Sequence, residues 1–119
     1  MSYDLGLHDP VSGEMLQLNA AHAMRGGTYC LGGTIDASLN VTYNYARLFR
    51  FAFEDQRGIR TLYGISGAES IQLLERAIAN LGDNTDEDYW AATEGNAKRA
   101  LYQLMALARL RPDGVWTGD

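Results

Sequence analysis

The sequence predicts an α+β domain in which an N-terminal β-hairpin and one or more short strands pack on a three-helix C-terminal part. Near the N-terminus, apolar residues alternate with polar ones, which is the period of a half-buried strand. In three later segments, apolar residues recur at helical spacing. The chain has 119 residues, of which 46% are hydrophobic and 21% charged. This length and composition predict one globular domain over residues 1–119.

Residues 3–18 have the pattern of a β-hairpin. The turn falls at 9–13 (Asp-Pro-Val-Ser-Gly), because proline fixes φ and glycine tolerates a positive φ. The apolar positions of the two strands are Tyr3, Leu5, Leu7, Leu16 and Leu18. Residues 28–31, which lie between two glycine pairs, favour a further short strand because they are rich in residues with β propensity.

The first predicted helix covers residues 41–54. Its apolar stripe at helical spacing consists of Tyr45, Leu48, Phe49, Ala52 and Phe53. Phe51 lies off this stripe, beside Arg47. An apolar ring outside the core stripe suggests that a second surface covers this helix, either the hairpin or another copy of the chain.

Two more helices and an apolar tail follow. Residues 66–69 (Ser-Gly-Ala-Glu) form a capping-box pattern that predicts a helix extending to Leu81. Thr85 can cap a short helical turn, after which Tyr89 and Trp90 are expected to pack against the domain, and Thr93 is placed to cap the last helix, at about 94–110. This helix has the widest apolar arc in the chain, so we expect it to be central. The apolar pair at 115–116 is expected to dock back on the body of the domain.

The charge of the chain argues against two classes of partner. Lys and Arg total 10 and Asp and Glu total 15, which gives a net charge of −5. General nucleic-acid binding and docking on anionic membranes both need a basic surface. No apolar run approaches the ~20 residues of a membrane span, and we find no signal peptide. With Cys30 as its one cysteine, the chain fits a reducing compartment, and we expect a cytoplasmic protein.

The chain lacks the common signatures of metal, phosphate-loop and nucleophile sites. Cys30, His8 and His22 have none of the usual zinc-ligand spacings. The one lysine, Lys98, follows alanine and not the glycine of a Walker A loop, and there is no Gly-x-Ser-x-Gly motif. The sequence therefore predicts no metal, no cofactor and no catalytic residue.

The most polar cluster is residues 40–45, at the start of the first predicted helix. A helix N-terminus favours anions, and four arginines follow within fourteen positions. The candidate ligand-binding residues are Asn40, Thr42, Tyr43, Asn44, Arg47, Arg50 and Arg60. The alternative interpretation is that Asn40 or Thr42 only caps the helix, that the tyrosines are half-buried, and that the arginines pair with nearby acids.

Several segments resemble parts of small proteins encoded by tailed phages and prophages. They are NVTYNY at 40–45, GIRTLYG at 58–64, GAESI at 67–71, DYW at 88–90, TEGNA at 93–97 and RPDGVW at 111–116. The resemblance covers about residues 26–119 and implies a protein that works in the host bacterial cytoplasm during infection. That family has no assigned activity, so the resemblance implies no catalytic residue. Accessory phage proteins of this size often block a host protein or hold a host signalling molecule, which implies an anti-defence role.

Three functional hypotheses follow. The first is a phage-type accessory protein that binds either a host protein or a small anionic, nucleotide-like ligand. The host protein would contact the acidic residues Asp83, Asp86, Glu87 and Asp88. The second is a small enzyme acting on a nucleotide or sugar-phosphate, which ranks lower because no general base is evident near the polar cluster. The third is a self-associating structural or assembly protein.

Self-association is expected in any of these cases, in the form of a homo-oligomer and most simply a dimer. Phe51 lies off the apolar stripe, and the chain contains seven tyrosines and two tryptophans, which are residue types enriched at interfaces.

A further expectation concerns the polar cluster. If its arginine and tyrosine side chains lie on unrelated faces, a hollow lined by them is excluded and only docking through the acidic surface remains.

Overall fold

The computed structural model describes residues 1–28 and 33–119 and has the predicted α+β architecture. Its elements are β1 (Ser2–His8), β2 (Gln17–His22), β3 (Thr34–Asp36), β4 (Ser38–Thr42), α1 (Ala46–Phe53), α2 (Gly67–Ala79), α3 (Glu94–Leu110) and β5 (Val115–Gly118). Short 3-10 helices at Tyr43–Tyr45 and Gly58–Leu62 flank α1. Most of the strand predicted at 28–31 lies outside the described residues. None of the described helices has the length and apolarity needed to span a bilayer.

β1 is the central strand of a three-stranded antiparallel sheet of order β4-β1-β5. β2 and β3 form a separate two-stranded antiparallel sheet. The chain bends between β3 and β4 at Ala37, which is fully buried. The Ala37 N–H donates to the Leu16 carbonyl at 2.9 Å, and the Ala37 carbonyl accepts the Leu7 N–H at 2.9 Å. These bonds join the two sheets at the bend.

The turn predicted within residues 3–18 is present, but β1 pairs mainly with β4 and β5 and not with the segment that follows the turn. The chain reverses at 9–13, and His8 and Met15 form an isolated antiparallel bridge. Beyond this bridge, β2 pairs with β3, while β1 pairs with β4 and β5. Apolar alternation determines which face of β1 is buried, but it does not determine which strands lie beside it.

The helix predicted over 41–54 begins later, at Ala46, because the preceding residues belong to other elements. Val41 and Thr42 are β-branched and pair with β1 as the end of β4. Tyr43–Tyr45 then form the 3-10 helix. The predicted apolar stripe is confirmed by the buried residues Tyr45, Leu48, Phe49 and Ala52.

The caps predicted for the other two helices are present. The Ser66 hydroxyl accepts the Glu69 N–H at 3.1 Å, and the Thr93 hydroxyl accepts the Asn96 N–H at 3.2 Å. α3 packs against α2 and carries nine buried residues, which agrees with its wide apolar arc. The tail docks as predicted, because β5 joins the sheet and Trp116 is fully buried.

Candidate functional site

A hollow of about 430 Å³ lies where four segments distant in sequence meet: residues 1–2, the segment that begins with the glycine pair at 26–27, residues 40–44, and the loop at 86–91. We call it the Trp90 hollow. Its described lining residues are Met1, Ser2, Gly27, Thr28, Asn40, Thr42, Asn44 and Trp90. Most of these side chains carry a hydroxyl or an amide, and the Trp90 residue is 58% exposed. No carboxylate or imidazole is present among these described lining residues.

The glycine pair lets the first segment cross the end of β4 at close range. A Cβ atom on Gly26 would lie 2.5 Å from the Asn40 carbonyl oxygen. A Cβ atom on Gly27, where φ is +82°, would lie 2.6 Å from the Tyr45 hydroxyl. The Thr42 N–H donates to the Gly26 carbonyl at 2.7 Å. Glycine therefore allows the main chain itself to contribute to the hollow.

Gln103 on α3 fixes the start of this segment. Its Oε1 accepts the Arg25 N–H at 2.7 Å, and its Nε2 donates to the Arg25 carbonyl. Nε2 also donates to the carbonyl of Arg99, one turn earlier on α3, at 3.2 Å. A single amide thus satisfies both main-chain groups of Arg25, which lies outside the strands.

The side chain of Asn96, which is only 2% exposed, holds the loop at 86–91 through hydrogen bonds. Asn96 Oδ1 accepts the Asp86 N–H at 3.3 Å. Its Nδ2 donates to the carbonyls of Asp88 and Ala91, each at 3.1 Å. Because three of the hydrogen bonds of this amide go to one loop, Asn96 determines the path of the main chain that carries Trp90.

The 3-10 helix holds the same loop through two further contacts. Asn44 Nδ2 donates to the Trp90 carbonyl at 3.0 Å, and the Tyr45 hydroxyl donates to the Tyr89 carbonyl. Burial raises the pKa of Tyr45 to about 12, although the charge of Arg99 acts in the opposite direction. The hydroxyl therefore stays protonated at neutral pH and remains a donor. The loop is fixed by its main chain, and the indole is left exposed.

The structure divides the seven candidate ligand-binding residues among three places. Asn40, Thr42 and Asn44 line the Trp90 hollow. Arg47 and Arg50 lie on α1 and line a separate, shallow depression. Among the described residues, the seven candidates do not line one hollow, so the structure does not support a hollow lined by the arginines and tyrosines. The Trp90 hollow is a different site, which is lined mainly by hydroxyl and amide groups and was not predicted from the sequence.

Tyr43 and Arg60 occupy the third place, beside β1. The Arg60 guanidinium carbon lies 5.0 Å from the ring centroid of Tyr3 and 5.9 Å from that of Tyr43. Its Nε donates to the main-chain oxygen of Asp119 at 2.9 Å. Successive residues of a 3-10 helix point about a third of a turn apart. Tyr43 and Asn44 are adjacent in sequence, but Tyr43 contacts Arg60 while Asn44 contacts the Trp90 loop.

Part of the alternative interpretation also agrees with the structure. The Thr42 hydroxyl accepts the Asn44 N–H at 3.2 Å and so caps the 3-10 helix. Tyr43 is half-buried. Among the ion pairs of the described residues, Arg57 binds Asp55 at 3.1 Å, but no candidate arginine takes part. Capping by Thr42 and a role in the hollow are compatible, because one hydroxyl can accept and donate at the same time.

Three of the acids that were expected to contact a host protein have local roles. Asp83 pairs with Lys98 at 2.7 Å. Asp86 Oδ1 accepts the Asp88 N–H at 2.8 Å, and Asp88 Oδ1 accepts the Trp90 N–H at 3.0 Å. These carboxylates shape the loop, although every residue from 82 to 90 remains exposed.

Sequence reasoning missed the residues on α3 that organise the hollow. Asn96, Arg99 and Gln103 recur at positions i, i+3 and i+7, which places them on one face of α3. A polar stripe beside an apolar arc was the signal that could have identified them. Trp90, which was expected to pack against the domain, is instead largely exposed.

The functional interpretation rests on what this hollow offers chemically. Comparison of the chain with protein-family models, with curated proteins and with solved structures finds no match. The hollow combines neutral hydrogen-bonding groups with an exposed aromatic ring, and its main chain is fixed on two sides.

Proposed function

We propose that the protein is a phage-type accessory protein of the host bacterial cytoplasm that binds a small nucleotide-like ligand in the Trp90 hollow, with an anti-defence role. The observation that carries this proposal is an exposed indole whose main chain is held on both sides, next to Asn40 and Asn44. Aromatic side chains bind the flat face of a base by stacking. Amides offer both donors and acceptors to its edge.

The size and rigidity of the hollow support this proposal. Small-molecule sites usually enclose about 300–1,000 Å³, and the hollow, at about 430 Å³, falls within this range. The contacts of Asn44, Tyr45 and Asn96 with the loop are present without a ligand. Binding would therefore not have to order the loop, and the entropy cost of association would be smaller.

The described lining favours binding over turnover. A general acid or base must come within hydrogen-bonding distance of the substrate. The described lining offers hydroxyl and amide groups but no carboxylate or imidazole. Those groups are sufficient for recognition, so we rank the enzyme acting on a nucleotide or sugar-phosphate second.

Calorimetric titration with nucleosides and nucleotides tests the proposal. Trp90→Ala is expected to weaken binding about five- to 150-fold, because stacking of one base contributes ~1–3 kcal/mol. The matched control is Tyr102→Ala, which removes another exposed aromatic side chain, from α3, and is expected to leave the affinity unchanged. Absence of heat with every member of the panel, or equal affinity of Trp90→Ala and the unmodified protein, contradicts the proposal.

Docking on a host protein through the acidic loop is the second candidate. It is supported by the net charge of −5 and by the exposure of every residue from 82 to 90. Glu87 lies in this loop and takes part in none of the ion pairs found among the described residues. If Glu87→Lys leaves nucleotide binding intact while Trp90→Ala abolishes it, the ligand hypothesis is favoured over the docking hypothesis.

We further propose that the chain self-associates through Phe51, which could also support a structural or assembly role. Phe51 is 61% exposed and lines the shallow depression with Arg47 and Arg50. Light scattering at low and high protein concentration tests this, with Phe51→Ser as the comparison. A strict monomer at both concentrations contradicts it.

A further inference from the structure

Two guanidinium groups lie beside the loop that carries Trp90. The guanidinium carbons of Arg25 and Arg99 lie 5.9 Å and 5.2 Å from the ring centroid of Tyr89. Both arginines are exposed, and neither takes part in the four ion pairs found within residues 1–28 and 33–119. Both charges lie next to segments that line the Trp90 hollow, because Tyr89 immediately precedes Trp90 and Arg25 lies two residues before Gly27.

Among the described residues, no acid of the segment from Asp83 to Asp88 forms an ion pair with Arg25 or Arg99. Asp86 and Asp88 each direct a carboxylate oxygen to a main-chain N–H, at 2.8 and 3.0 Å. Asp83 pairs with Lys98. In a chain with a net charge of −5, two arginines without carboxylate partners therefore lie at one edge of the loop. Contact with an exposed tyrosine ring compensates a guanidinium charge only weakly.

The two arginines are also held in a fixed relation to each other. Gln103 binds both main-chain groups of Arg25 and donates to the carbonyl of Arg99. Tyr89, which contacts both guanidinium groups, is itself held through its carbonyl by Tyr45. This preorganisation lowers the entropy cost of bringing two cations to one anion.

We propose that Arg25 and Arg99 bind the phosphate group of the ligand whose base stacks on Trp90, so that the ligand class is a phosphorylated nucleoside. The planar fork of a guanidinium matches the oxygens of a phosphate and forms paired, charge-assisted hydrogen bonds with them. This inference rests on the proposed function, because it assigns the charged part of a ligand whose flat part occupies the Trp90 hollow.

The test compares nucleosides with nucleotides. The four common nucleoside 5′-monophosphates and their parent nucleosides are titrated into the intact chain by calorimetry. At least one monophosphate is expected to bind about ten- to a hundredfold more tightly than its nucleoside, which is the range that charge-assisted hydrogen bonds support. Added salt is expected to weaken the binding of the monophosphate but not that of the nucleoside.

The variants are Arg25→Gln and Arg99→Gln, with Arg76→Gln on α2 as the charge-matched control. Each test variant is expected to remove most of the preference for the phosphate and to leave nucleoside binding unchanged, while the control retains the preference. The main-chain contacts of Arg25 with Gln103 do not depend on the arginine side chain, and circular dichroism checks that each variant is folded.

The two proposals fail in distinguishable ways. If nucleosides and monophosphates bind equally and neither variant changes this, the phosphate site is overturned and the proposed function stands. If no member of either series binds, both are overturned. If inorganic phosphate alone binds as tightly as the monophosphates, the arginines bind a free anion and the assignment to a nucleotide is overturned.

Discussion

The surroundings of the two tryptophans show how differently two regions of the molecule are built. Trp116 on β5 is fully buried, and its indole N–H donates to the buried Ser70 hydroxyl at 2.8 Å. Trp90 is largely exposed and is held through its main chain, by Asn44 and by Asp88. Apolar packing places the first ring, whereas hydrogen bonds from polar side chains place the second. Fixing the main chain leaves the face of Trp90 open to a ligand.

The largest expected effect separates these two rings by stability. Trp116→Ala is expected to lower the free energy of unfolding by ~3–5 kcal/mol, because it leaves a large cavity and removes the donor to the Ser70 hydroxyl, which keeps only its bond to the Gly67 carbonyl. Trp90→Ala is expected to change it by less than ~0.5 kcal/mol, since the ring is mostly exposed. Urea unfolding measures both values. A loss of several kcal/mol for Trp90→Ala would mean that its ring is part of the core.

The next prediction concerns the glycine pair beside the hollow. Gly27 and Gly13 both have positive φ, +82° and +75°. A Cβ atom on Gly27 would lie 2.6 Å from Thr42 Cγ2, whereas one on Gly13 would have no neighbour within 4 Å. Gly13→Ala is therefore expected to lower the free energy of unfolding by ~1 kcal/mol, from backbone strain alone. Gly27→Ala is expected to lower it by a further ~1–3 kcal/mol, because the added methyl group overpacks its surroundings.

Unfolding measurements and ligand titration of both variants test this difference. Gly27→Ala is expected to weaken ligand binding as well, because the displaced segment lines the hollow. Gly13→Ala is expected to leave binding unchanged, since Gly13 belongs to the turn that follows β1. Equal losses of stability in the two variants would contradict the close approach of residues 26–27 to β4.

A smaller effect is expected at Asn96, which organises the loop. Asn96→Ala leaves the Asp86 N–H without its partner and removes one of the two donors to each of the Asp88 and Ala91 carbonyls, at a cost of ~1–3 kcal/mol. Hydrogen exchange of residues 86–91 is expected to become faster, while exchange in β1 stays unchanged as an internal control. Unchanged exchange in the loop would show that other contacts fix its main chain.

The core could be predicted from the sequence because its signals are local. Helical spacing and the capping residues Ser66 and Thr93 located α2 and α3, and the apolar pair at 115–116, which begins β5, correctly predicted that the tail docks. Each of these signals is read within a few residues, where propensity and side-chain period decide the outcome. The neighbours of β1 could not be predicted in the same way, because strand order depends on pairings between distant segments.

The Trp90 hollow itself was not predicted, for the same physical reason, although three of its lining residues were singled out. Asn40, Thr42 and Asn44 were singled out because they form a polar run within one segment. The residues that complete the site, Asn96 and Gln103, act on main-chain groups up to 78 positions away along the chain. The arginines that follow the run are close in sequence, but Arg47 and Arg50 lie on α1 and Arg60 lies on the second 3-10 helix, so they reach other surfaces.

The last prediction compares the buried Tyr45 with the partly buried Tyr63 by their response to alkali. Burial raises the pKa of Tyr45 and of Tyr63 to about 12, above the value of ~10 in an unfolded chain. The protonated hydroxyls therefore stabilise the fold fully below pH ~10, and this contribution is lost as the pH rises towards 12. Urea unfolding at a series of pH values gives the slope of the free energy of unfolding against pH. Tyr45→Phe and Tyr63→Phe are each expected to make the alkaline slope less steep by the amount that corresponds to about one proton.

Hydrogen exchange distinguishes the two tyrosine variants by region. Tyr45 donates to the Tyr89 carbonyl in the Trp90 loop, whereas Tyr63 donates to the main-chain oxygen of Asp119 at 3.1 Å. Tyr45→Phe is therefore expected to speed exchange in the loop at neutral pH, and Tyr63→Phe is expected to leave the loop unchanged. If both variants speed exchange in the loop, the loop depends on the stability of the whole fold, and its separate support by polar contacts is disproved.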